Sequence, residues 1–363
     1  MGGSRQAIWI GRICVPSQDL KGYGMASAVR APSGHAHARY RHRPIHCGDK
    51  NMSRNYGLGS RDMSSAGRIA LSNAASRGEL SFASADTIAD RWSHLSRFAK
   101  NEGIGRMERI DASLVRRFGQ HLAVKVKDGQ LSAAYTQNLI SAVNTVMSLA
   151  TRGTWESISP TRDCGIPQRS SVRQVAPAGY DRQQFVTAIQ ALREQGLDRQ
   201  ASVAEFAREL GLRSKEGSLL DTVKALKEAQ IKGQVTITEG TKGGRSRVVT
   251  ISSDRQQQAL LRAAAAQGDG RNIIPTDNTW KTWREGGLRN GREALQMNGI
   301  SRYHELRASY ACERYRALTG HNAPVLGGQI VSRAIDLAAR EQIAAELGHG
   351  RIDVVAAYVG GRK

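Results

Sequence analysis

Four short motifs carry six residues whose types suit attack on a phosphodiester: Arg213 in GLRSKEGSLL, Lys242 in TKGGRSRVV, His304 and Arg307 in HELR, and His349 with Tyr358 in ELGHGRIDVVAAYV. A phosphodiester is a stable anion, and substitution at its phosphorus passes through a five-coordinate arrangement with added negative charge. Two guanidiniums can grip both non-bridging oxygens as planar forks. That is the expected role of Arg213 and Arg307, and it aims fixed charge at the transition state without a metal ion. Tyr358 is the expected nucleophile. A phenol, with a pKa near about 10, attacks only when its proton is taken and cations hold the resulting oxyanion. His304, three residues from Arg307 on one helix face, is the better placed general base, with His349 donating a hydrogen bond to the phosphate. Lys242, on a glycine-rich turn, can protonate the leaving 5′-oxygen and reach the minor groove.

Each residue also has a plainer reading. Glu216, one turn after Arg213, either fixes that guanidinium by accepting a hydrogen bond or is a solvated helix charge. Lys242 is otherwise a basic turn residue, with Arg245 and Arg247 as neighbouring candidates for phosphate contact. Tyr358 is otherwise a core aromatic beside Val354 and Val355. Tyr303, Tyr310 and Tyr315, on or beside the HELR helix, read as packing residues, and His321 after Gly320 reads as a loop histidine.

The rest of the sequence must position this set. Its 363 residues allow two domains or three. Lys and Arg number 53 against 32 acidic residues, a formal charge of +21, which favours a polyanionic partner. Hydrophobic residues make up 40% but aromatics only 5%, so aliphatic side chains must fill the cores. Cys14, Cys47, Cys164 and Cys312 form no CxxC pair, which argues against a zinc ribbon or a disulfide scaffold and suits a reduced cytoplasm. No apolar run reaches a membrane-spanning length, and the N-terminus does not resemble a signal peptide.

Residues 1–60 read as a basic disordered segment, low in apolar content and without periodicity. His35, His37, His42, His46 and Cys47 within it read as part of that tail rather than as a metal cluster. Met52 is a candidate alternative translation start. Residues 64–152 read as a helical domain. Ile88, Trp92, Leu95 and Phe98 recur at helical spacing, Asp111 is placed to cap a second helix, and Leu139, Val143, Val146, Met147 and Leu149 stripe a third. Residues 153–178, with three prolines, read as a linker. Residues 179–363 read as a mainly helical domain with helices near 181–195, 200–211, 214–231, 253–266, 278–297, 304–319, 329–347 and 351–359. A hairpin lies between the third and fourth, with Gly243 and Gly244 at its turn. The fold class expected is therefore mainly α with a small β-hairpin.

In residue type and order, the six residues resemble the signature of the tyrosine recombinases, also called phage integrases: an Arg, a Lys in a β-hairpin turn, His-x-x-Arg, a His or Trp, and a Tyr near the C-terminus. The resemblance covers about residue 180 onward. The helical domain before it resembles the family's core-binding domain in character only. It implies a DNA-clamping core-binding domain and a catalytic domain acting on double-stranded DNA. It further implies a 3′-phosphotyrosine intermediate with a free 5′-hydroxyl, no cofactor, and a homotetramer assembled on two DNA sites. Use by a mobile element, accessory DNA-bending proteins as compatible partners, and a bacterial cytoplasmic, nucleoid-associated location go with it.

Two features depart from the family pattern. His304 and His349 lie 45 residues apart, wider than usual, with extra sequence at about 318–340 that reads as a loop and an added or lengthened helix. Only Val359 to Lys363 follow the tyrosine, so subunit coupling through a long tail is not expected. The rival readings are a type IB topoisomerase, against which the HELR motif tells, and a DNA-binding regulator that has lost catalysis.

Overall fold

The computed structural model describes residues 54–362. The histidine-rich stretch, Cys14, Cys47 and Met52 lie outside the described residues. The expected basic segment ran to residue 60, but residues 54–60 dock instead. Asn55 is fully buried, its side chain accepting from the Met107 amide and donating to Ser60, while the Tyr56 amide donates to Glu108. The polar side chain of Asn55 ties this stretch to the next domain where apolar periodicity is lacking.

The first domain holds α1 (Met63–Ser76), α2 (Phe82–Asn101), α3 (Ala112–Lys127) and α4 (Ala133–Ala150). Asp62, Ser81, Asp111 and Ser132 each cap one of these helices by accepting an amide of its first turn. Trp92, Leu95, Leu139, Val143, Val146 and Met147 are fully buried in one cluster. Helix α1, absent from the sequence reading, packs against α2 through small residues: a Cβ on Gly67 would run into the Trp92 ring, whose indole N–H donates to the Met63 carbonyl.

Residues 153–178 contain no helix or strand. Their first half belongs to the first domain's core, through buried Ile158, Cys164 and Ile166. Their second half runs onto the second domain, where the Arg173 amide donates to the Ala356 carbonyl.

That domain comprises α5 (Arg182–Glu194), α6 (Asp198–Glu209), α7 (Ser214–Leu219), α8 (Thr222–Lys232), β1 (Gln234–Ile237), β2 (Arg247–Thr250), α9 (Asp254–Gln267), α10 (Trp280–Glu285), α11 (Gly287–Met297), α12 (Tyr303–Thr319), α13 (Arg333–Glu346) and α14 (Ala356–Val359). The strands pair antiparallel from Gln234 opposite Thr250 to Ile237 opposite Arg247. The architecture is mainly helical with one small sheet among the described residues. Two expected helices are each broken. The 214–231 helix divides at Leu220, whose backbone is extended, and Asp221 caps the restart by accepting the Lys224 amide. The 278–297 helix divides at Gly286. The segment 351–359 begins as a 3-10 turn over Ile352–Val355 before α14. Two clusters fill the domain, one around α5, α6, α9, α11 and the strands, the other joining α12, α13 and α14. No described helix is long and apolar enough to cross a membrane.

Candidate active site

Arg213 stands at the N-cap of α7, its backbone extended, so that its side chain leaves the helix start. Glu216, one turn on, is fully buried, which removes the solvated-charge reading. It accepts from the Arg213 amide at 2.7 Å and from Arg213 Nη1 at 2.6 Å. Arg247 grips the same carboxylate with both terminal nitrogens, at 3.0 and 2.6 Å, and Arg307 Nη1 lies 3.9 Å away. Burial raises the Glu216 pKa, but the Arg247 hydrogen bonds and the flanking positive charge more than reverse this and hold it at about 2. Glu216 is thus a buried anion that fixes the Arg213 and Arg247 guanidiniums beside the Arg307 charge.

Arg247, a candidate phosphate contact by sequence, is buried at the start of β2, paired with Glu216 and, through Nε, with the Glu346 carbonyl at 2.8 Å. Strand phase is the reason: Arg247 alternates inward with Val249 while Val248 and Thr250 face out. Arg245 remains exposed, its guanidinium beside Gly350. Lys242 is exposed on the loop between the strands, where Gly243 and Gly244 both have positive φ. Gly240, at φ 71°, lets that loop approach the Lys215–Glu216 backbone, where a Cβ would sit 2.9 Å from the Lys215 carbonyl oxygen.

Helix α12 presents Arg307 inward. Its side chain is 1% exposed and donates to the carbonyls of Gly211 and Leu347. Its Nε lies 3.4 Å from the Tyr358 hydroxyl. Burial lowers the Arg307 pKa to about 10, leaving it charged at neutral pH. Tyr358 on α14 is 4% exposed, and His349 Nε2 lies 3.1 Å from its hydroxyl. His304 meets the phenol by stacking, with ring centroids 5.3 Å apart and planes 26° apart. The imidazole in hydrogen-bond reach of the Tyr358 hydroxyl is therefore His349, whereas the sequence favoured His304 as the proton acceptor. Crowding by protein atoms first, and the Arg307 charge second, lower both histidines from 6.5 to about 4. The His304 ring keeps solvent-exposed surface, so its neutral form is favoured without being sealed in. The charges of Arg213, Arg247 and Lys242 add to the effect on His349.

Two of the competing tyrosines, Tyr310 and Tyr315, are committed to carboxylates, and the buried Tyr303 hydroxyl has no hydrogen-bond partner among the described residues. Tyr303 is buried and Tyr310 donates to Glu346, both with pKa values raised by burial. Tyr315 donates to Asp336, and burial with that carboxylate pushes it up to about 12. His321 is exposed after the left-handed Gly320. Among the described residues no group of three or more His, Cys, Asp or Glu side chains is placed to hold a metal ion.

Residues 169–313 match the family model described as Integrase. No curated protein matches the chain. Among solved structures, a lambda integrase tetramer bound to a Holliday junction is 16% identical at a TM-score of 0.52, over 86% of this chain and 80% of that one. The XerH site-specific recombinase in a post-cleavage complex with difH substrate is 16% identical at 0.52, over 83% and 82%. The Tn1549 transposon integrase with transposon right end DNA is 12% identical at 0.53, over 82% and 95%. At these identities the likeness is one of fold.

Proposed function

We propose that this chain is a tyrosine recombinase (phage integrase) that cuts and rejoins double-stranded DNA through a 3′-phosphotyrosine at Tyr358, in the service of a mobile element, a reading supported by the Integrase match over residues 169–313. One observation carries the reading: the Tyr358 hydroxyl sits within hydrogen-bond reach of both Arg307 and His349, beside a carboxylate that gathers Arg213 and Arg247.

Tyr358 attacks phosphorus, its oxygen becoming the new ester oxygen while the 5′-oxygen leaves. With Nε2 unprotonated, His349 accepts the phenolic proton in this DNA-free arrangement. His304 stays neutral against the ring, free to turn a nitrogen towards a phosphate oxygen. Arg213 and Arg307 hold the non-bridging oxygens, and Lys242, free at the hairpin tip, protonates the leaving oxygen. The ester keeps the energy of the broken bond, so a 5′-hydroxyl can reverse the step on a partner strand. Arg307 and Tyr358 are both buried, so admitting a phosphate requires the side chains packed over them to move.

The neighbours of this fold include a tetramer on a Holliday junction and a post-cleavage complex, which supports assembly of several subunits on paired DNA sites. The test uses two DNA duplexes carrying the ends of the surrounding genetic element. Covalent protein–DNA adducts and exchanged strands are expected. Adduct with relaxation but no exchange would favour a topoisomerase, and binding without adduct on every site would favour a regulator.

A further inference from the structure

We infer that Arg173, in the segment between the domains, is a positioning residue for the nucleophile, acting with Glu305 of the HELR motif and opposed by a second clasp from α13. This rests on the reading of Tyr358 as nucleophile.

The Arg173 amide donates to the Ala356 carbonyl at 2.9 Å, and its Nε reaches the Ala357 carbonyl at 3.4 Å. Those are the two residues before Tyr358. Its two terminal nitrogens then form a fork on Glu305, at 3.0 and 2.8 Å, and Glu305 also accepts the Ala178 amide at 3.2 Å. The pair is largely buried, with side chains 14% and 10% exposed. A bidentate Arg–carboxylate pair shielded in this way fixes orientation as well as distance. One guanidinium therefore ties the interdomain segment, the HELR helix and the tyrosine turn together.

Beyond Tyr358 the chain is held from the other side. Arg340 on α13, 2% exposed, donates to the Gly360 carbonyl at 3.0 Å and to the Gly361 carbonyl at 3.5 Å. Asp336 orients it at 2.7 Å, and Arg362 pairs with the same carboxylate at 3.0 Å. The extra sequence at 318–340 thus supplies an anchor for the residues after the tyrosine. Tyr358 spans two arginine clasps. In the clasped state its hydroxyl already meets Arg307 and His349, so loosening either clasp should displace the nucleophile rather than release it into reactivity.

The test compares the full chain with its Arg173→Ala, Arg173→Lys and Glu305→Gln variants. Hydrogen exchange of the DNA-free protein over residues 352–362 reads the local opening that loss of the clasp permits. Single-turnover adduct formation on a nicked duplex reads its effect on chemistry, and DNA affinity and thermal unfolding serve as controls. For Arg173→Ala the expected results are faster exchange confined to 352–362 and adduct formation slowed by about 10- to 100-fold, the scale of an ångström-sized misplacement. DNA affinity should stay within about threefold, since many phosphates share the binding. Arg173→Lys and Glu305→Gln, which keep part of the pairing, should fall between the alanine variant and the native chain. They decide the matter should Arg173→Ala fail to fold. Unchanged exchange at 352–362, or adduct formation in the loosened variants as fast as native, would overturn the inference. A native chain that forms no adduct on any DNA would instead sink the tyrosine chemistry, while the exchange result would still decide the clasp.

Discussion

The helices before residue 152 and the domain after residue 179 place charge in opposite ways. In the first, ion pairs lie on the surface: Arg68 with Asp90 at 54% and 76% side-chain exposure, Lys100 with Asp62 at 52% and 40%. Its interior is aliphatic, closed over Trp92 and Met63. In the second, Arg307, Arg208 and Arg340 rank among the largest fully buried side chains, and Glu216 and Asp336 are buried with them. Burying paired charge contributes little net stability and is often neutral against an apolar replacement, whereas removing one partner leaves the other stranded. On the proposed chemistry, the pairs around Glu216 provide cations fixed before a phosphate arrives. The difference separates a region closed by apolar packing from one that sets charge in its interior.

The sharpest way to break this contrast is Arg307→Ala. Single-turnover cleavage should fall by about 100- to 1000-fold, as when a preorganised donor to a developing anion is removed, with DNA affinity in a gel shift nearly unchanged. Lost affinity with unchanged cleavage per bound complex would place Arg307 outside the chemistry.

Next in size is a paired comparison by denaturant unfolding. Glu216→Ala strands Arg247 and should cost about 3–5 kcal/mol, whereas Asp90→Ala removes an exposed pair and should cost less than about 1 kcal/mol. Equal costs would erase the distinction between the regions. Gly67→Ala probes the first region on its own terms, driving a methyl into the Trp92 ring at a cost of about 1–3 kcal/mol. A neutral result would mean that α1 and α2 are less tightly seated than described.

The smallest effect is a pH slope. His304 and His349 titrate near 4 in the folded chain against 6.5 as their ordinary value. Between those values the unfolded chain binds more protons, so stability is lost as pH falls from 6.5 towards 4 and does not change through these groups above that window. The unfolding midpoint followed across that range should drop on acidification, and His349→Gln should flatten the drop. A midpoint that rises on acidification would contradict the neutral, crowded imidazoles.

The same contrast governs how much the sequence disclosed. Stripes such as Leu139, Val143, Val146 and Met147 announce a helix because apolar burial repeats with the helical period. Helix α1 was missed because Ala66, Ala70, Ala74 and Gly67 give little apolar contrast, and its packing depends on closeness rather than bulk. That Arg213, His304, Arg307, His349 and Tyr358 belong together was suggested by type and order, since few other arrangements combine them. The burial of Arg247 against Glu216 was not anticipated, although its phase with Val249 carried the signal. The break at Asp221 was also readable in principle, as an acidic cap ahead of Thr222 and Val223. The Arg173–Glu305 pair was not readable, because residues 132 positions apart meet only through the tertiary fold.

The site at which DNA becomes attached tests the proposed chemistry most directly. After incubation with a nicked cognate duplex, denaturation and digestion, mass spectrometry of the covalent product should find the nucleotide on the peptide containing Tyr358, and Tyr358→Phe should form no product. Attachment at Tyr303, Tyr310 or Tyr315, or an undiminished product from Tyr358→Phe, would contradict it.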